Sequence, residues 1–167
     1  AVGRNSRESA SGARTNVEKS SPTYLLEREV VKSILQFSDI SSTWRELAVD
    51  DFSDESLRVV FALISERPQA LSDLTELMRE LEPDSAALIT ELTVEPLRSA
   101  EATESFVASL IARVREVSLT RKIAELKSTL LRLDPESPEY GPTFSELIAL
   151  EAVRRTLHEK GLGEALL

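Results

Sequence analysis

Apolar residues recur along this chain at helical rather than strand spacing. Leu26, Val30, Ile34 and Phe37 stand four, four and three positions apart, one face of a 3.6-residue period, which predicts a helix over about 23–37 with Thr23, after Pro22, as its N-cap. A short helix around Thr43 to Ala48 carries Trp44 and Leu47. Phe52-Ser53-Asp54-Glu55 has the composition of a helix start, and Leu57, Val60, Phe61 and Ile64 give the core face of a helix ending near Arg67, before Pro68. Ser72 is placed to cap a helix with Leu74, Leu77, Met78 and Leu81, and Asp84 or Ser85 to start one with Leu88, Ile89 and Leu92. No glycine occurs between Tyr24 and Tyr140, and prolines at 68, 83, 96, 135 and 138 punctuate segments of helical length. Residues 23–95 therefore read as a bundle of five short helices.

The pattern then changes. Residues 97–134 contain neither Pro nor Gly and predict one helix of about 30 residues, roughly 45 Å long at 1.5 Å per residue. Its apolar stripe shifts phase midway: Val107, Leu110, Val114 and Val117 form one line, and Leu119, Ile123, Leu126, Leu130 and Leu133 form another, turned by about 200°. One helix must thus serve two cores, the first half packing on the bundle and the second pairing with the next helix of the chain. Asp134-Pro-Glu-Ser-Pro-Glu-Tyr-Gly-Pro is turn chemistry, and Thr143 to Lys160 is a helix stopped by Gly161, so residues 119–160 read as an antiparallel hairpin. The last helix has two apolar sets, Phe144-Leu147-Ile148 and, on the far side, Leu150, Val153 and Leu157. A two-helix hairpin has one inside, so one set is left for a partner. The first set, nearest the closing turn, is expected inside.

Composition fits an all-α fold: 41% hydrophobic residues suffice for a core, while 5 Gly and 7 Pro in 167 residues are too few for a turn-rich β-sandwich. Residues 1–22, rich in Ser, Arg and Gly, read as a flexible linker. Residues 23–118 then form the bundle with the first half of the long helix, and 119–167 the hairpin and an apolar end. The chain starts at Ala1 rather than Met, as expected of a segment of something longer. The lack of Cys excludes disulfides and thiolate metal sites and points to a reduced, cytoplasmic setting; no apolar run is long enough for a membrane span.

Catalytic chemistry finds little support. The lone His158 follows Arg154 and Arg155, which rules out the Glu-x-x-His pairs of a di-iron bundle, and it reads as a solvated residue near a helix C-terminus. There is no phosphate loop, nucleophile elbow or Cys-His pair. Asp50-Asp51 and Asp54-Glu55 could attract Mg²⁺, but they stand where helix caps are expected. No cofactor or metal is expected. With 17 acidic and 7 basic residues, the stretch 23–102 repels phosphates, so no strong nucleic-acid binding is expected either. On the long helix, residues 103–133 carry 6 basic and 3 acidic residues. That excess reads as a solvated face complementing the acidic bundle, or, more specifically, as a dock for an acidic protein tail at Arg113, Arg121 and Lys122.

The ordered segments resemble the C-terminal helicase-binding domain of bacterial DnaG-type primases. The similar stretches are Leu25-Leu-Glu-Arg-Glu-Val-Val-Lys-Ser-Ile-Leu-Gln36, Phe52-Ser-Asp-Glu-Ser-Leu-Arg-Val-Val-Phe-Ala-Leu-Ile64, Leu92-Thr-Val-Glu-Pro96, Leu119-Thr-Arg-Lys-Ile-Ala-Glu-Leu-Lys-Ser-Thr-Leu130 and Leu147-Ile-Ala-Leu-Glu-Ala-Val-Arg-Arg-Thr-Leu157. The resemblance implies a helical subdomain, a long connecting helix and a C-terminal hairpin that docks on the replicative DnaB-type helicase. It also implies that zinc-binding and polymerase modules precede this domain, consistent with the linker and the missing Cys. The expected activity is non-catalytic coupling of primer synthesis to the replication fork, with a single-stranded-DNA-binding protein as a possible second partner. In that family, much of the helicase contact falls on what is here 137–167. Combined with the stripe left open by the hairpin, this points to Leu150, Val153 and Leu157, with Arg154, His158, Leu162, Leu166 and Leu167 nearby. The competing reading is a regulatory or scaffolding helical domain of another cytoplasmic protein, such as the similar N-terminal domain of the helicase itself.

Overall fold

The computed structural model describes residues 20–37, 39, 42–79, 81–98 and 103–162. The expected linker at 1–22 lies almost wholly outside the described residues, as do Leu166 and Leu167. Among the described residues six α-helices succeed one another: α1 (Pro22–Phe37), α2 (Glu55–Glu66), α3 (Leu74–Arg79), α4 (Pro83–Val94), α5 (Glu104–Leu130) and α6 (Tyr140–Leu162). The segment around Trp44 forms two 3₁₀ turns, Thr43–Glu46 and Val49–Asp51, rather than a helix to Ala48. Trp44 and Leu47 are still buried there, so these two anchors fix the segment without a full helical turn.

Helix starts obey local capping chemistry, shifted by a residue from expectation in places. Ser21, not Thr23, caps α1: its Oγ accepts the Tyr24 N–H at 3.1 Å, and Pro22 takes the first helical position, where no N–H is needed. Asp54 caps α2 by accepting Leu57 N–H at 3.0 Å. Asp73 rather than Ser72 caps α3, taking the N–H groups of Thr75 and Glu76, and Pro83 opens α4. Thr103 caps α5 by accepting Phe106 N–H.

Helix α1 is the centre of the bundle and is buried on more than one face. Val30, Val31, Ile34 and Leu35 pack with Leu57, Val60, Phe61 and Ile64 of α2, Ile89 and Leu92 of α4, and Val107, Leu110, Ile111 and Val114 of α5. Each such side chain contributes about 1.5–3 kcal/mol on burial. The polar residues of α1 act as brackets. Glu27, 1% exposed, accepts hydrogen bonds from Ser53 N, Ser53 Oγ and Asp54 N at 2.8, 2.6 and 3.1 Å, tying α1 to the start of α2. Gln36 donates to the carbonyls of Leu92 and Glu95, and Lys32 to that of Pro96, so the open C-terminal carbonyls of α4 are satisfied by α1. Arg28 and Lys32 both pair with Glu95, and Glu29 accepts Arg98 N–H at 2.6 Å. The hydrogen bond from Arg28 outweighs burial and holds the Glu95 carboxyl below its usual range.

The buried face of the long helix changes along its length. Val107, Leu110, Ile111 and Val114 belong to the bundle core, whereas Ile123, 4% exposed, lies outside it, with Leu119, Leu126 and Leu130 half-buried on its side of the helix. Helix α6 returns along α5. It runs from Tyr140 through Pro142, tolerated in the first turn, and past Gly161 to Leu162, longer at both ends than the expected 143–160. Gly161 does not stop it but lets it approach closely: a Cβ there would sit 3.0 Å from Cγ of Arg113. The pairing of α6 thus reaches back to residues 113 and 116 of α5, into the half that carries the bundle.

Candidate functional site

The inner seam of α6 is set by an unbroken three-four spacing. Tyr140, Thr143, Leu147, Leu150, Arg154, Leu157 and Gly161 are buried or half-buried while the positions between them, Glu151 apart, are exposed, and Leu147 and Leu157 are buried at 8% and 6%. Polar pairs lock the register along it. Lys127 pairs with Glu151 at 2.8 Å and Arg154 with Glu151 at 3.0 Å, and these two cations lower the Glu151 pKa. Further along, His158 Nδ1 lies 2.8 Å from a Glu116 carboxylate oxygen.

This geometry corrects the expected assignment of faces. Leu157 and, in part, Leu150 lie inside the hairpin rather than open to a partner, and Arg154 is engaged at the seam edge. Of the expected inner set only Leu147 is buried; Phe144 and Ile148 are 47% and 55% exposed. The reason is continuity. A seam must run the whole length of both helices, and only the line through Leu147, Leu150 and Leu157 does so, ending on Gly161. The Phe144-Ile148 line passes instead into Ala152 and Arg155. The full-length three-four line was the signal available in the sequence, and grouping by pairs of turns missed it.

The outward apolar surface lies at the distal end of the hairpin. Phe144 stacks on Tyr140 with ring centroids 6.4 Å apart, Ile148 stands one turn on, and Leu131, at the end of α5, is 88% exposed. Val153 and Leu162 are exposed at 43% and 45%, with His158 also on the surface. Val153 lies about 180° from Phe144 around the helix, whereas Leu162 falls on the Phe144 side near the other end.

The basic residues of α5 divide into two places. Arg121 and Lys122 line a cleft of about 290 Å³ with Asp50, Phe52, Ser53, Arg58, Ser118 and Glu125, where the 3₁₀ turn and the start of α2 meet α5. Arg113 is not part of it; it lies on the α6 side, under Gly161. Within the cleft, Arg121 donates to the main-chain carbonyls of Asp50 and Asp51 at 3.4 and 3.1 Å, and its Nε is buried without a hydrogen-bond partner. Ser118 donates to the same Asp50 carbonyl, and Arg58 pairs with the Asp50 carboxylate at 3.1 Å. The acidic pairs act locally: Asp54 caps α2, Asp51 accepts Ala48 N–H, and Asp50 holds Arg58. Among the described residues no group of three His, Cys, Asp or Glu converges as a metal site, and no helix is long and apolar enough to cross a membrane.

Comparison with known proteins accounts for this architecture. The chain is 33% identical over 156 residues to DNA primase of Mycobacterium tuberculosis (strain ATCC 25618 / H37Rv), covering 87% of this chain and 24% of that protein. It is 32% identical to DNA primase of Mycobacterium leprae (strain TN) over 154 residues, covering 86% of this chain and 24% of that protein. The chain thus spans about a quarter of the length of these relatives. Among solved structures, the helicase binding domain of primase from Mycobacterium tuberculosis superposes with a TM-score of 0.63 at 32% identity, covering 83% of this chain and 93% of that one. Residues 27–140 match the family described as DNA primase DnaG DnaB-binding, and the chain belongs to that family of non-catalytic primase interaction domains.

Proposed function

We propose that this chain is the helicase-docking end of a bacterial DNA primase and that it holds the DnaB-type replicative helicase through the outward face of α6. Primer synthesis then belongs to other parts of a cytoplasmic parent protein, and this segment ties that activity to the replication fork. Family membership supports the partner. The observation that carries the location is the exposed apolar pair Phe144 and Ile148, with Leu131 at the same distal end, on a helix whose Leu147 and Leu157 are taken up by the seam. Exposed aromatic and branched side chains of this kind are the usual anchors of a protein interface. Leu162 extends the same side of α6.

The test is calorimetric titration of purified helicase into the chain and its variants. Phe144→Asp and Ile148→Asp should lose binding while their circular dichroism stays that of the parent. If both bind normally and Val153→Asp does not, the interface lies on the opposite side of α6.

A second partner is favoured by the cleft at Arg121 and Lys122. Arg121 spends its hydrogen bonds there on main-chain carbonyls, and with Lys122 it gives an acidic tail, as of a single-stranded-DNA-binding protein, two cations to meet. Arg113 has no part in that docking.

A further inference from the structure

Resting on the reading of the outward face of α6 as the helicase dock, we infer that Tyr140 is the positioning residue of that dock: it holds the Phe144 ring in the orientation the helicase meets. In a helix, long side chains lean toward the N-terminus, so a residue rests on the side chains three and four positions before it. For Phe144 those positions are Gly141 and Tyr140. Gly141 has no side chain, and a Cβ built there would meet nothing within 4 Å, so Tyr140 is the support that the first turn of α6 offers. The two ring centroids lie 6.4 Å apart and the rings are 6° from parallel, an offset stack.

The support is itself fixed. Tyr140 lies on the seam line and is half-buried, whereas Phe144 is 47% exposed, so one ring is anchored and the other presented. The turn before Tyr140 is closed by hydrogen bonds: Ser137 N–H donates to the Asp134 carbonyl at 2.9 Å, Tyr140 N–H to that of Ser137 at 3.1 Å, and Glu139 N–H to Ser137 Oγ at 3.2 Å. Pro138 and Pro142 restrict the backbone on either side. Ile148, the other exposed member of the pair, needs no such support, since a β-branched side chain in a helix is held in one χ1 rotamer by its own backbone. Phe144 is not branched at Cβ, and without the Tyr140 ring it would be ordered only at the moment of docking, at a cost in affinity. The Tyr140 hydroxyl makes no hydrogen bond among the described residues, so the ring rather than the polar group holds Phe144.

The test is calorimetric titration of purified helicase into the full chain carrying Tyr140→Leu, Tyr140→Phe, Phe144→Ala, or Tyr140→Leu with Phe144→Ala, each held below its melting transition. Leu keeps apolar volume at the end of the seam but offers no ring face, and Tyr140→Met serves the same purpose if Tyr140→Leu folds poorly. Tyr140→Leu should weaken helicase binding by about 3- to 10-fold, and the conservative Tyr140→Phe should restore it to within about 2-fold of the parent. In the Phe144→Ala background, Tyr140→Leu should add less than about 2-fold, because the ring it positions is gone. Losses that multiply in the double variant would show Tyr140 touching the helicase directly and so overturn the positioning role. Tyr140→Leu binding like the parent, or Tyr140→Phe binding as weakly as Tyr140→Leu, would overturn it too, while leaving the dock at Phe144 in place. Parent-like binding by Phe144→Ala overturns instead the docking reading on which the inference rests.

Discussion

Exchanging the two faces of α6 by mutation separates stability from recognition, and the structure fixes both magnitudes. Leu157 is 6% exposed in the hairpin seam, and truncating a buried Leu to Ala costs about 2–5 kcal/mol. A seam between two helices relaxes more readily than a closed core, so the low end, about 2–3 kcal/mol, applies to Leu157→Ala. In a chain of this size each kcal/mol moves the melting temperature by about 2–4 °C, which gives a fall of roughly 5–10 °C in the transition that reports the hairpin. Ile148 is already 55% exposed, so Ile148→Ala removes little buried area and should cost less than about 1 kcal/mol, a shift under about 4 °C. Helicase binding should respond in the opposite order. Truncating an interface anchor costs about 1–4 kcal/mol, about 5-fold to 1000-fold in Kd, and Ile148 should show that loss in full. Differential scanning calorimetry and titration on the same two preparations decide the matter. If Ile148→Ala melts early and Leu157→Ala melts like the parent, the seam has been assigned to the wrong side of α6. If Ile148→Ala binds helicase like the parent, the docking surface lies elsewhere.

Single contacts set three further outcomes. Glu27→Ala strands the Ser53 N–H and hydroxyl and the Asp54 N–H that the buried carboxylate accepts; urea denaturation should show a loss of about 3–5 kcal/mol, and a loss under about 1 would mean that these groups find other partners. The Glu95 carboxyl titrates below its ordinary value of 4.5 in the folded chain because Arg28 and Lys32 favour its charge. Its contribution is therefore complete above that pH and disappears as pH falls below it through the folded value. Glu95→Gln should accordingly be less stable than the parent at neutral pH and converge with it in acid, and a constant difference in melting temperature across that range would refute the linkage. At the end of α6, Gly161→Ala brings a methyl group against the flexible stem of Arg113, which can move aside, so helix propensity should win and raise stability by up to about 1 kcal/mol, read as a slightly higher melting temperature; a fall would show that Arg113 is fixed.

The periodicity of the sequence by itself determined the helices of the bundle, the faces of α2, and the division of α5 between two cores, because 3.6-residue spacing and cap residues act within one or two turns. Asp54 could be read as a cap from its neighbours alone, and the phase shift after Val117 required only counting. Tertiary structure alone decided which polar residues are buried. Nothing local marks Glu27, Glu29 and Lys32 of α1 as interior, since their burial depends on Ser53, Arg98, Glu95 and the carbonyl of Pro96, between 26 and 69 positions away. The faces of α6 are decided in the same way. Each of its apolar sets could close a hairpin when viewed singly, and only the full length of α5, with Lys127, Glu116 and Arg113 meeting Glu151, His158 and Gly161, selects the line that packs and leaves Phe144 and Ile148 outside. The cleft likewise joins Arg121 to Asp50 across about 70 positions of chain. Its charge was readable in the sequence, but the walls that give it a shape were not, because they come together only when the turn at Asp50 docks on α5.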